Sequence, residues 1–283
     1  MKQRKIEYKI DENSRGLKIY TFLKFKNGYS SGLIRSLKQL DDGIVLNGAR
    51  AKTVDILALG DALCITLPEE KSDIEPVKGE IDIIYEDDDV LVINKDGFTA
   101  MHPTHNHQGD TLANRVIYHL TENGACPAFK AIGRLDKGTS GLVVLALNAL
   151  SACKLSGKIE KTYVALVKGQ TEPCGTVDVP IYRPDALKTL RACSYEKGTE
   201  KAVTHYKTLE RFADSSKIEL RLETGRTHQI RVHMAHIGHP LAGDSFYGDF
   251  RLEEGHQLLH CKRCEFIHPV TNEQMIFEVK ENF

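Results

Sequence analysis

The sequence predicts an α+β protein, strand-rich with a few helices, and three stretches carry that prediction. Leu142-Val143-Val144-Leu145-Ala146 is a continuous apolar run, too short to cross a membrane and suited to a fully buried strand. Ile218, Leu220 and Leu222 alternate with Lys217, Glu219 and Arg221, the period of a strand with one buried face. Leu112, Val116 and Leu120 recur at four-residue spacing, the stripe of a helix lying on a core. A chain of 283 residues, 41% of them hydrophobic, can build one large domain and a small one.

Residues 1–75 read as a small separate module. Residues 19–25 form a helical stretch, and Ser30-Ser31 cap a second helix over 32–40, with Leu33, Leu37 and Leu40 on one face. Residues 43–48 read as a strand ending in an Asn-Gly turn, and 59–67 as a further turn and strand. The net charge is only −1, but residues 1–40 hold ten Lys/Arg against three Asp/Glu, and residues 41–90 hold four against fourteen. That asymmetry reads either as a basic binding face or as two solvated surfaces of opposite sign.

Residues 68–79 are a polar linker with little to bury, so a cut there should expose little core. Residues 81–95 follow as two strands around Asp87-Asp88-Asp89, read as a solvated turn. Helices are expected over 111–120 and 148–159, and strands over 162–168, 201–212 and 217–223. Residues 173–200 lack periodicity and read as a long excursion near the substrate or, equally, as an idle surface loop. A helix starts near His228, with Ile230, Met234 and Ile237 on its inner face and His228, Arg231 and Ala235 on another. Strands over 257–266 and 274–279 close the sheet.

Several function classes fall away. No apolar run is long enough to cross a membrane, and the first residues lack the apolar stretch of a secretory signal, so the cytoplasm is the expected compartment. An odd count of seven cysteines argues against a disulfide framework. Cys261 and Cys264 lie three apart on a strand, which should point them to opposite faces, and no second pair completes a zinc site. The His-rich stretch from His102 to Asp110 falls short of the His-x-His-x-Asp-His ligand set of binuclear hydrolases.

The chemistry concentrates at Gly133-Arg134-Leu135-Asp136-Lys137-Gly138-Thr139-Ser140-Gly141. Taken alone, this is one carboxylate in a Gly-, Thr- and Ser-rich loop, equally a turn before a core strand. The segment resembles the Arg-Leu-Asp-x-x-Thr-Ser-Gly-Leu motif of the RluA/RluD-type RNA pseudouridine synthases. Val90-Leu91-Val92-Ile93-Asn94-Lys95 is similar to that family's opening strand, and Lys161-Thr162-Tyr163-Val164-Ala165 to its Lys-x-Tyr-x-Ala strand. Residues 225–233 and 238–248 match its third motif, and Leu258-Leu259-His260 with Phe266-Ile267-His268-Pro269 its closing strand. Residues 1–75 resemble the alpha-L RNA-binding module of a small-subunit ribosomal protein, with Arg15-Gly16-Leu17 where an Arg-Leu-Asp opening is usual.

The resemblance implies a pseudouridine synthase fold over residues 76–283: a mixed, mostly antiparallel sheet with flanking helices and a central cleft. It implies that Asp136 is the nucleophile, attacking either the ribose or the base, that Arg231 pairs with it, and that Tyr163 takes up a proton. Arg134, Thr139, Arg226, His228 and Gln229 become candidate substrate-binding residues, His228 and Gln229 chiefly as supports of their loop. Gly243-Asp244 and Tyr247-Gly248 read as packing turns. The family's Lys-Pro-x-Gly is Lys95-Asp96-Gly97 here, which predicts a looser loop. In the N-terminal module Lys18, Lys24, Lys26, Arg35 and Lys38 would meet RNA. No cofactor and no metal is expected. The expected partner is RNA, ribosomal more than transfer RNA, and the chain is expected to act as a monomer. Two rivals stand beside this reading: an inactive RNA-binding protein on the same fold, and a metal-dependent hydrolase using the His-rich segments.

Overall fold

The computed structural model describes residues 3–104, 108–122, 128–186, 189–196, 199–248 and 256–283. His105, Asn106 and His107 of the His-rich stretch lie outside the described residues.

The N-terminal part is built on a four-stranded antiparallel sheet in the order β1-β4-β2-β3: β1 (Lys5–Lys9), β2 (Ile44–Leu46), β3 (Ala49–Arg50) and β4 (Ala62–Thr66). Its β2–β3 hairpin turns at Asn47 and Gly48, both at positive φ (51° and 83°), the twist a tight hairpin favours. β1 is not legible in the local pattern, because Lys5-Ile6-Glu7-Tyr8-Lys9 buries only Ile6 fully. Two short helices cover the sheet. α1 (Ile19–Thr21) runs on into a π-helical turn over Phe22–Lys26. α2 (Ser31–Leu37) is capped by the Ser30 hydroxyl, which accepts from the Leu33 amide at 3.1 Å. It stops at Leu37 instead of Leu40, where the amides of Gln39 and Leu40 fold back onto the carbonyls of Ser36 and Leu37. Ile19, Leu23, Leu37 and Ile65 form a dry cluster between helices and sheet.

The larger part is a nine-stranded sheet. Its path is β5 (Asp82–Glu86), β6 (Val90–Lys95), β7 (Ser140–Ala146), β14 (Leu259–Ile267), β8 (Glu160–Lys168), β13 (Ser215–Leu222), β12 (Val203–Arg211), β9 (Cys174–Asp178); β15 (Gln274–Glu278) pairs with β14. All pairings are antiparallel except β7 with β14. A two-stranded ribbon, β10 (Ile181–Tyr182) with β11 (Ala192–Cys193), stands apart. The helices are α3 (Leu112–Glu122), α4 (Ala149–Leu155) and α5 (Gln229–His236). The expected α+β, mostly antiparallel architecture is what forms. No helix among the described residues is long and apolar enough to cross a membrane.

Several sequence expectations are corrected. β14 lies in the middle of the sheet instead of closing it, and the excursion over 173–200 contains β9, which hydrogen-bonds to β12 as an edge. α4 ends at Leu155, and Gly157 at φ +69° turns the chain away. A register shift between Cys261 and Arg263 lets both Cys261 and Cys264 face the core, against the simple alternation of a strand. β7 and β14 approach so closely that a Cβ on Gly141 (φ +103°) would sit 2.3 Å from the Cys261 carbonyl oxygen.

Of the acidic triplet only Asp88 is solvated, with 77% of its side chain exposed. Asp89 is 2% exposed and accepts from Arg4 Nε at 3.1 Å and from the Asn148 amide at 2.7 Å. Asp87 accepts from Tyr85 Oη at 2.7 Å and shares a 2.9 Å hydrogen bond with His268. The linker is also tied down, since the Asn114 amide donates to the Glu75 carbonyl at 2.8 Å. Leu150 of α4 is wholly buried in the N-terminal cluster. A cut at the linker would therefore expose Leu150 and leave Asp89 without Arg4, contrary to the expectation of little exposed core.

Candidate active site

The loop 133–139 enters β7 under restraint. Thr139 donates its amide to the Asp136 carbonyl at 3.0 Å, and the Gln257 side chain donates to the buried Thr139 hydroxyl at 3.1 Å. Lys95 reaches in from the end of β6. Its buried Nζ donates to the carbonyls of Asp96, Thr99 and Lys137 at 2.5, 2.9 and 3.0 Å, tying two loops together. Burial pushes its pKa down to about 8, against the pull of Asp96 and Asp136. Asp96 stands where proline is usual, yet the loop is not loose. Its carboxylate accepts from the amides of Phe98 and Thr99 at 2.7 and 2.6 Å and from the Thr99 hydroxyl at 2.7 Å.

The Asp136 side chain, 28% exposed, opens on a cleft of about 1160 Å³ that Tyr163, Arg226, His228 and Arg231 also line. Arg231 projects from α5 and donates from Nη1 to Asp136 Oδ2 at 3.2 Å. The same guanidinium is gripped by Asp244, Nε to Oδ2 and Nη2 to Oδ1, both at 2.7 Å. A planar fork suits that two-point contact, which a lysine could not make. Burial works against the Arg231 charge, but the two carboxylates outweigh it and raise its pKa. For Asp244, burial is outweighed by Arg231 and by the amides of Phe246 and Tyr247, which hold its pKa below the usual carboxylate range. The rings of Phe246 and Tyr247 lie 5.2 and 5.3 Å from the guanidinium carbon. Asp244 and Tyr247 thus do more than pack in a turn. A signal for Asp244 exists in the chemistry: a buried arginine that meets one carboxylate at a single point needs a second anchor.

His228 precedes α5 in the left-handed region, φ +58°, a conformation held here by its surroundings. Its Nδ1 lies 2.9 Å from the Tyr247 hydroxyl and its Nε2 3.8 Å from Asp136 Oδ2. The Arg191 amide also donates to that hydroxyl, at 2.8 Å. Burial lowers the His228 pKa, with the Asp136 charge opposing and Arg231 adding to the fall.

Tyr163, 7% exposed, sits mid-way along β8 directly across from Cys261 of β14. Burial first, then Cys261 and the Asp136 charge, raise its pKa well above that of a free phenol. Arg134 is exposed on the loop before Asp136. Arg226 is exposed at the rim, paired with Glu200 at 2.9 Å. Gln229 borders the cleft, but its amide accepts from Thr224 and Arg226 and donates to Val203 and Thr204, so it holds the loop in shape.

In the N-terminal part, Lys18, Lys26, Arg35 and Lys38 are exposed. Lys26 is paired with Asp11 at 3.2 Å, and Lys24 lies 5.6 Å from the ring centres of Tyr20 and Phe25.

Residues 89–236, which include Asp136, Tyr163 and Arg231, match the model of the RNA pseudouridylate synthase family. The chain belongs to this family. As an RNA pseudouridine synthase it is an isomerase, of the RluA/RluD type. The uncharacterized RNA pseudouridine synthase YhcT of Bacillus subtilis (strain 168) is 37% identical to it, over 98% of this chain and 94% of that protein. The ribosomal large subunit pseudouridine synthase D of Pseudomonas aeruginosa is 35% identical, over 84% of this synthase and 80% of its own length. Among solved structures, human RNA pseudouridylate synthase domain containing 1 superposes with a TM-score of 0.57 at 27% identity, over 74% of this synthase and 87% of that chain.

Proposed function

We propose that this synthase converts specific uridines of large-subunit ribosomal RNA to pseudouridine, with Asp136 as the nucleophile. The observation that carries the reading is the position of Asp136 in the cleft, 3.2 Å from a guanidinium that a second carboxylate holds still. The reaction breaks the bond between ribose C1′ and uracil N1, turns the base and joins C1′ to C5. One proton leaves C5 and one arrives at N1, so atoms and electrons balance without an oxidant or reductant. A covalent bond to Asp136 splits this exchange into two easier steps.

Tyr163 receives the C5 proton in this reading as its own hydroxyl proton passes to N1, so the phenol ends as it began. Burial makes its phenol hard to ionise, and the same burial makes the phenolate a strong base once formed. The Asp136 charge is one cause of the raised pKa, and it is removed when the carboxylate becomes an ester. Arg134 contacts a phosphate or fills the space vacated as the uridine flips into the cleft. Residues 1–75 act as the RNA-binding module, with the exposed Lys18, Arg35 and Lys38 outermost, and residues 76–283 as the catalytic domain. The joint presence of Asp136, Tyr163 and Arg231 weighs against an inactive binder, which needs none of them together.

Large-subunit ribosomal RNA is favoured over transfer RNA because curated relatives bear that substrate in their names. The test is a pseudouridine map of total RNA from cells with and without this protein. Loss of one or more sites in large-subunit RNA is the expected result. Losses confined to transfer RNA would overturn the substrate assignment.

A further inference from the structure

Lys161 is anomalous within the cleft. It stands two residues before Tyr163 on β8, so the two side chains leave the same face of the strand, and both line the cleft that holds Asp136. Its Nζ is buried and makes no hydrogen bond among the described residues. It packs against Gly133, where an added Cβ would lie 3.5 Å from Nζ. Across the sheet Lys161 faces Cys264 and Tyr163 faces Cys261. Burial raises both thiols, Cys264 to about 12, so neither supplies a negative charge. Asp136 and Glu265 line the same cleft, yet among the described residues no carboxylate pairs with Nζ, and a buried ammonium left unpaired points to an anion that arrives with the substrate.

We propose that Lys161 is a catalytic residue whose charge stabilises the uracil while it is detached from the ribose, an inference that rests on the pseudouridine synthase chemistry given above. When the C1′–N1 bond breaks, its electron pair leaves with N1. The free base then carries one negative charge spread over N1, O2 and O4. The charge disappears when a pair from the base forms the C5–C1′ bond and the Asp136 carboxylate is expelled. It therefore exists only between the two bond changes. A cation placed there lowers that barrier without tightening the binding of intact RNA. Phosphates are met at the rim by the exposed Arg134 and Arg226, whereas the buried Nζ of Lys161 lies with Tyr163, beneath the base.

The test compares wild type, Lys161→Met and Lys161→Arg in single turnover at saturating RNA, with uridine or 4-thiouridine at the target position. Sulfur spreads the charge of the detached base, so that base needs less help. Lys161→Met should slow uridine conversion by about 100-fold or more, with RNA affinity changed by less than about threefold. Its melting temperature should not fall, because an unpaired buried charge has been removed. The defect should shrink by about tenfold on 4-thiouridine, and Lys161→Arg, which keeps the charge, should stay within about tenfold of wild type. An unchanged rate would overturn the proposal. So would a defect confined to RNA affinity, which marks a phosphate contact, or equal slowing on both bases, which marks a misplaced Tyr163. Should the methionine variant not fold, Lys161→Gln makes the same comparison. A wild type that forms no pseudouridine in this assay would instead remove the functional assignment itself.

Discussion

Arg231 touches two carboxylates on unequal terms. Asp244 holds it by two bonds of 2.7 Å, whereas Asp136 meets it at a single point, 3.2 Å away. The cation is fixed and the Asp136 carboxylate is left able to move, as the nucleophilic role proposed for it requires. Asp244→Asn should therefore cost stability, near the lower end of the roughly 3–5 kcal/mol typical for breaking a buried pair, because Asp136 remains as a partner. Turnover should fall more than about tenfold with little loss of RNA affinity. Denaturant melts and single-turnover rates on the same preparation check both. Tyr163→Phe removes one hydroxyl and should slow turnover by about 10²–10⁴-fold at unchanged RNA affinity. Wild-type turnover by that variant would reduce Tyr163 to a packing residue.

The loop that carries Asp136 is held from β6 through Lys95, and this contact has a pH signature. Burial lowers the Lys95 pKa to about 8 in the folded chain, against roughly 10.4 in an unfolded one. The unfolded state thus binds more protons between these values. Lys95 imposes a cost below pH 8 that is relieved as pH rises toward 10, and wild type should gain stability relative to Lys95→Met across that window. Parallel curves for the two proteins from pH 7 to 10 would contradict this. Elements with a strong local period are legible in the sequence: β7 from its unbroken apolar run, β13 from its alternation, α3 and α5 from their stripes. The elements that local reading misses or misplaces depend on partners far along the chain. β14 reads locally as a last strand, and only its pairing with β7 and β8 puts it at the centre. The bulge that turns Cys261 and Cys264 to one side arises in that pairing, so alternation points the wrong way. Asp136, Tyr163 and Arg231 stand out through family motifs, but Asp244 and Lys161 become distinctive only when burial and partners are known.

The N-terminal part and the large sheet share more than a linker. Leu150 from α4 fills the N-terminal cluster, and Arg4 answers the buried Asp89, pairings between residues far apart in sequence that no local pattern announces. Leu150→Ala should cost about 2–5 kcal/mol and loosen the N-terminal part first, visible as reduced amide-exchange protection over β1 and β4. Because truncation would expose that core, the RNA role proposed for residues 1–75 is better probed by reversing Arg35 and Lys38. Affinity for long RNA should fall, and the salt slope should drop by roughly 0.7–0.9 for each phosphate no longer neutralised. Conversion should also survive EDTA, since the isomerisation proposed for Asp136 involves no net electron transfer and has no step that calls for a metal. The decisive measurement is pseudouridine formation by purified wild type and Asp136→Asn on one RNA under single-turnover conditions. The amide keeps the shape of the side chain and loses its nucleophilicity, so the variant should bind RNA normally and fall on the order of 10⁴-fold or more in rate. Pseudouridine formed by Asp136→Asn at a rate near that of wild type would contradict the assignment of Asp136 as the nucleophile.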